Sequence, residues 1–454
     1  MRRPLLMLLA ASLVLSCARH KPIQPVLEFK TAPILLDTIP ETIDPKDLQF
    51  SPDGTEVAYR WNTGDGRQGY AVNGRVERYF DEVGEFLHYT KDGTHYAYKA
   101  KKAFKELVMF DGTEGEMYDQ VTDPALSVTG RALAYAAKKG EQAFVVFNDQ
   151  EGAKDFDLVG PPILSPDGKR IAYAAKQFGK WFYVLDGRQE KPFDEVGYAY
   201  FGDDARSFAY EARRGLKWVI VIDGEESPEY DAVGLYPETP WRRVFSAKRD
   251  GKEFVVDGGK EGPAYDKVGW PVVSENGKKI AYEARRDGKR FIVWEGREGK
   301  PYDQVGRPIL TRNGKGLAYD AMEGRQLLMV RDEGEIKRYV ALPGARFSPD
   351  GTKLAYAGVN RDATSKFVVE ENVKGKDYET TGLIAWSPNG GHLAYAAGEG
   401  GKEFLVVDGK EGKAYDRILS LVPRFSPDGK FVGANAMKGR EVWWIVEAAT
   451  DAFP

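Results

Sequence analysis

The sequence predicts an all-β chain, and three observations carry that prediction. A two-residue phrase, Ala followed by an aromatic, recurs at a near-constant step. Short apolar runs rich in β-branched and aromatic residues alternate with turns holding Gly and Asp. Past the N-terminal leader, no segment sustains a 3.6-residue apolar period. The phrase ends at Tyr59, Tyr98, Tyr135, Tyr173, Tyr210, Tyr282, Tyr319, Tyr356 and Tyr395. The steps are 37 to 39 residues, except one of 72 that Phe245 divides into 35 and 37, and a degenerate eleventh copy lies around Val432. Such a period marks one supersecondary unit that buries its apolar surface only by stacking on its copies.

Residues 161–197 show the unit in order. The apolar pair Ile163-Leu164 leads into Ser165-Pro166-Asp167-Gly168, where Pro presets φ and Gly tolerates φ > 0. Ile171-Ala172-Tyr173-Ala174-Ala175 is the second strand. Alternation puts Ile171 and Tyr173 on one face and Ala172 and Ala174 on the other, so the aromatics of one unit can seat on the alanines of the next. After a loop at Lys176–Lys180 comes Trp181–Leu185, apolar on both sides as expected of a strand covered on both faces. A turn at Asp186-Gly187 precedes a fourth strand at Phe193-Asp194-Glu195-Val196-Gly197. Four-stranded sheets of about 37 residues, stacked face to face, describe the blades of a β-propeller.

The turn phrase returns as Ser51-Pro52-Asp53-Gly54, Ser348-Pro349-Asp350-Gly351, Ser387-Pro388-Asn389-Gly390 and Ser426-Pro427-Asp428-Gly429. A Ser-Pro-Asp-Gly turn before an Ile/Leu-Ala-Tyr/Phe strand resembles the WD40-like propeller repeats of the TolB type. The resemblance covers residues 48 to about 446 and implies a propeller. It departs from true WD40 repeats, since no Trp-Asp dipeptide occurs, and from TolB in lacking an evident separate α/β domain before the repeats.

Single rings typically hold four to eight blades, so eleven units are expected to form two tandem rings. Unit six is irregular: between Tyr236 and Phe245 it holds two prolines and no Asp-Gly turn. A junction near 234–246 would give repeats 1–5 over 48–234 and repeats 6–11 over 235–454. The last unit ends after Trp443-Trp444-Ile445-Val446 without a fourth strand, which Pro33-Ile34-Leu35-Leu36-Asp37 could supply. That latch would put the first and last units in one ring, which competes with a five-plus-six split.

A formal net charge of −4, with acids and bases interspersed, leaves no nucleic-acid footprint. Met1-Arg2-Arg3 followed by an apolar stretch from Pro4 to Leu15 has the features of an export signal over residues 1–16. Cys17 is the sole cysteine. Val14-Leu15-Ser16-Cys17 resembles a bacterial lipobox, which implies a diacylglycerol on the Cys17 thiol. Ala18 in place of Asp implies the outer membrane in a Gram-negative host. Residues 17–47 would then hold the lipidated Cys, a tether and the ring-closing strand.

Catalytic chemistry is sparse. Of four histidines, His20 lies in the tether, and His88 and His95 flank the Asp92-Gly93 turn as an expected exposed cross-strand pair. No G-x-S-x-G elbow, phosphate loop, H-E-x-x-H or C-x-x-C occurs, so neither cofactor nor metal is expected. Asp81, Asp119, Asp157, Asp194, Asp231, Asp266, Asp303 and Asp416 follow an aromatic in unit after unit. A feature repeated in nearly every blade reads as structural, and charge at an outer strand discourages edge pairing.

One asymmetry remains. The loop after the second strand is basic in six successive units: Lys101-Lys102, Lys138-Lys139, Lys176 with Lys180, Arg213-Arg214, Lys248-Arg249 and Arg285-Arg286. From unit eight on, Glu323, Asp362 and Glu399 dilute the pattern. These loops share one face of a propeller, so the cations would form an arc for an anionic ligand, against the alternative of solvated or acid-paired charges. The expected function is a non-enzymatic, lipid-anchored envelope propeller that binds a protein, an anionic glycan or a lipid. The rival is a glycan-active hydrolase or lyase with its residues in the central channel. Lipidation predicts that Cys17→Ser releases the protein from membranes; fractionation that leaves it tightly membrane-bound would refute the anchor.

Overall fold

The structure, a computed structural model, describes residues 29–236, 242–324, 326–332, 334–336, 340–341, 344–360 and 365–449. Apart from short turns such as the 3₁₀ turn Pro45–Asp47, its regular structure is strand, arranged in eleven sheets. Cys17, the leader and most of the tether fall outside the described residues.

Blade 4 illustrates the construction. Its inner strand comes in two halves, Leu158–Val159 and Ile163–Leu164, which pair with opposite ends of the second strand, Ile171–Gln177. The third strand is Lys180–Leu185 and the outer one Arg188–Gln189. Ser165 Oγ accepts from Arg170 N at 3.0 Å and donates to Asp167 Oδ1 at 2.7 Å, which fixes the turn between the first two strands. At the hairpin between the third and outer strands Asp186 and Gly187 both take positive φ, 51° and 77°, as a type I′ turn requires. The Asp186 carboxylate also accepts from Ile171 N at 3.0 Å, holding the hairpin to the second strand.

The fourth strand differs from expectation. Phe193 makes a lone bridge to Trp181 in its own blade, whereas Glu195 and Val196 pair with Arg213 and Ala212 of blade 5. The segment read as one outer strand therefore crosses between blades, and its second half opens the next inner strand. Asp194, at the crossing, is what both sides hold.

Between blades, the two faces of the second strand meet as their sizes suggest. Ala134, Ala136 and Val145 of blade 3 receive Ile171, Tyr173, Phe182 and Val184 of blade 4 in one buried cluster. An equivalent cluster joins every neighbouring pair from blade 1 to blade 11. A further cluster sets Met437, Val442 and Trp444 of blade 11 against Val57, Tyr59 and Ala71 of blade 1. The expected two-ring division is thus corrected: the chain forms one eleven-bladed propeller. The blade 5–6 contact, where a junction was expected, is an ordinary one, with Ala209 and Ile220 against Phe245 and Phe254.

The expected latch is present. Ile34–Thr38 pairs antiparallel with Glu441–Ala448 and completes the last sheet. Arg440 Nε donates to Ile39 O at 3.1 Å and its Nη2 to Ile43 O at 2.6 Å. Asn435 Nδ2 donates to Gly54 O at 2.7 Å across the closing joint. Trp444 lies flat over Gly54 and Gly433, where any side chain at either glycine would overlap the indole.

Toward the ring axis, the second halves of neighbouring inner strands approach one another, as in blades 2, 3, 4 and 5, and so form the inner wall. Tyr173 is buried between blades, so Tyr173→Ala should cost about 3 to 5 kcal/mol as a large-to-small core change. Chemical denaturation checks this, and a near-neutral result would contradict the packing.

Candidate functional site

The repeated charges prove to be engaged with each other. Lys180 Nζ lies 2.5 Å from Asp194 Oδ1, while Asp194 Oδ2 accepts from Gly215 N of the next blade at 2.6 Å. The same arrangement joins Lys217, Asp231 and Asp250 N, then Lys252, Asp266 and Asp287 N, then Lys289, Asp303 and Gly324 N. It returns at Lys402, Asp416 and Gly439 N, and at Lys105, Asp119 and Gly140 N. Each aspartate is a staple between blades, and the lysine bond first, then the backbone N–H, holds its carboxyl below the usual value of 3.8.

The basic loops divide into two sets. Lys102, Arg214, Arg249 and Arg286 bridge to Glu114, Glu226, Glu261 and Glu298 of the outer strands. Arg249 and Arg286 also cover the rings of Tyr230 and Tyr265 at 5.0 Å. Arg213 pairs with Glu195 at 2.6 Å and Lys180 with Asp194. The other six, Lys101, Lys138, Lys139, Lys176, Lys248 and Arg285, have no ion pair among the described residues, although Lys176 sits over the Trp181 ring. The histidine pair expected across a hairpin does not form: His88 stands opposite Ala97, and His95 binds Asp111 at 2.6 Å and stacks on Phe110. Among the described residues no group of three or more metal-binding side chains comes together.

Lys248 and Arg285 both line a cleft of about 620 Å³ between blades 6, 7 and 8. The inner strands of these blades supply its floor: Ala232–Gly234, then Lys267–Val268 continuing into Gly269-Trp270, then Arg307-Pro308. Trp270, 58% exposed, packs at 5.2 Å on the Tyr236 ring, and Arg307 lies 5.9 Å from the indole. Tyr236 is fixed by a 2.8 Å bond between its hydroxyl and Ser246 Oγ. Five cations line the cleft, Lys248, Lys267, Arg285, Arg290 and Arg307, against the carboxylates Glu253 and Glu283. Both acids are already bound: Glu283 to Arg290 at 2.9 Å, and Glu253 to Val268 N at 3.1 Å. The cleft therefore offers excess positive charge beside a flat aromatic surface.

Arg307 and Pro308 also border a second hollow of about 470 Å³ that contains Asp320. Burial pushes the Asp320 carboxyl above the usual aspartate range. Burial likewise raises Glu211, whose oxygens accept from Leu235 N and Tyr198 N.

Sequence reading missed Tyr236, Trp270 and Arg307. One signal could have found two of them. The residue after Val-Gly varies within an otherwise repeated phrase: Glu85, Pro161, Tyr198, Leu235, Trp270, Arg307. Unit six, irregular just after Tyr236, marks this cleft instead of a ring junction.

No protein-family model matches the chain, and no curated protein matches it. Solved structures do. A eukaryotic initiation factor aligns at 11% identity and TM-score 0.38, over 69% of this chain and 95% of that one. The β-propeller domain of the Trilobed protease from Pyrococcus furiosus, described as having an open velcro topology, aligns at 12% identity and TM-score 0.27, over 73% and 95%. The Dos1 propeller aligns at 10% identity and TM-score 0.31, over 71% and 92%.

The staples carry a pH dependence of definite sign. Their carboxyls titrate lower folded than unfolded, so they stabilise the fold above the unfolded value of 3.8 and lose this as pH falls through the folded one. Replacing Asp194, Asp231 and Asp266 together with Asn should lower the urea midpoint at pH 7, and the gap to wild type should narrow in acid. A gap independent of pH would remove the electrostatic role.

Proposed function

We propose that this chain is a non-enzymatic, lipid-anchored propeller of the cell envelope, and that it binds an anionic, ring-bearing envelope ligand in the cleft of blades 6–8. The observation that carries this reading is the exposed Trp270 face framed by five cations, against two acids among the described lining residues, Glu253 and Glu283, that are both already bound. Lys248 and Arg285, which have no ion pair among the described residues, attract carboxylates or phosphates, and an indole face gives a sugar ring apolar contact. An acidic glycan meets both requirements in one molecule. The TolB-type phrase and the lipobox-like Val14-Leu15-Ser16-Cys17 support placement in the envelope, at the outer membrane of a Gram-negative host.

A second reading, a glycan-active hydrolase or lyase, draws on Asp320, a carboxyl with a raised proton affinity in the hollow that Arg307 also borders. Both readings meet in one experiment. A carboxylated oligosaccharide and its neutral counterpart are titrated against wild type, Trp270→Ala and Arg285→Glu, and the mixtures are analysed for shortened products. The binding reading expects selective capture of the acidic sugar, weakened about tenfold or more by either substitution. Equal affinity for the neutral sugar, or variants that bind as wild type does, would sink it. Products that vanish in Asp320→Asn would put the enzyme in its place.

A further inference from the structure

The hairpin between the second and third strands is the same two-residue turn in most blades, so the repeats act as controls for one another. In blades 6, 7 and 10 its tip is polar or bare: Asp250-Gly251, Asp287-Gly288 and Gly400-Gly401, all at positive φ. In blades 2, 4 and 5 the tips are Phe104, Phe178 and Leu216, exposed to 91%, 91% and 89%. Phe104 and Phe178 have φ of 65° and 51°, the left-handed region that bulky residues avoid. These side chains neither suit the turn nor contribute burial, and the neighbouring blades show that the fold does not require them.

Each apolar tip stands between cations: Lys102 and Lys105, Lys176 and Lys180, Arg214 and Lys217. On blades 2, 3 and 4, Lys101, Lys138, Lys139 and Lys176 have no ion pair among the described residues. The aspartate staples join these hairpins from blade to blade, so they share one face. The described chain begins on the other face, where Phe29 packs at 5.6 Å on the Trp444 ring that covers the Gly54 turn. Nothing in the described chain covers the tips.

We infer that the hairpin face of blades 2–5 is a membrane-docking surface, on which Phe104, Phe178 and Leu216 enter the interfacial layer of an anionic bilayer while Lys101, Lys138, Lys139 and Lys176 meet its headgroups. Protruding single apolar residues ringed by cations fit a fluid surface, which needs no matching pockets, better than they fit a folded protein. This surface is separate from the blade 6–8 cleft.

The test uses the full chain with Cys17→Ser, so that no acyl chain contributes, sedimented with vesicles of equal parts phosphatidylcholine and phosphatidylglycerol and with phosphatidylcholine alone. Binding to the anionic vesicles, weakened by salt, is expected. Phe104→Gly with Phe178→Asn gives both turns residues they favour, so the melting temperature should hold or rise while vesicle binding falls about tenfold or more. Trp270→Ala should leave vesicle binding unchanged, which separates this surface from the cleft. Equal sedimentation of parent and tip variant, no sedimentation with anionic vesicles, or a tip variant that melts earlier would each overturn the assignment.

Discussion

The contact on which the ring depends is that between a row of alanines and a row of aromatics. Alanine in the second strand leaves room for the next blade's Tyr to lie against the backbone, and the third strands add Val and Phe around it. Close packing at interior density makes this spacing exacting, because a methylene added on the small face displaces the ring that fills it. The closing joint solves the same problem with different residues. Gly433 stands where other blades have alanine, and Trp444 fills the space it leaves.

Much of this was legible because it is local. Alternation around Ala172 and Tyr173 named the two faces, the Ser-Pro-Asp-Gly phrase placed the turns, and the unfinished last unit pointed to Ile34–Leu36 as its missing partner. Ring number was not legible, because an irregular stretch after Tyr236 looks like a boundary while Ala209 and Phe245 on either side still make the standard joint. The outer strand was misread for a related reason: nothing in Phe193-Asp194-Glu195 says that its halves serve different blades. The cleft was hidden by distance. Tyr236, Trp270 and Arg307 are 34 and 37 residues apart and meet only because stacked repeats bring equivalent positions side by side.

Repetition also separates charges that hold the fold from charges left for other work. The aspartate that recurs after the blade's aromatic is stapled, in six joints, to a lysine and to the next backbone, and Lys102, Arg214, Arg249 and Arg286 of the recurring basic loops fold back on their own outer strands. What departs from the pattern is not part of these staples: an exposed indole at Trp270, Arg307 beside it, and a half-buried aspartate, Asp320, in blade 8. In a molecule built of copies, function concentrates where the copies disagree.

The strand shared between the two chain ends sets the order in which the molecule can be completed. Ile34 waits for Trp444, so roughly the whole polypeptide must emerge before the circle shuts. Until then blade 1 presents Val57, Tyr59 and Ala71 uncovered, an adhesive edge throughout synthesis. Contacts of such long sequence separation form late and slowly. A growing ring of this kind therefore depends on whatever shields its first blade, and it becomes self-sufficient only when its last strand arrives.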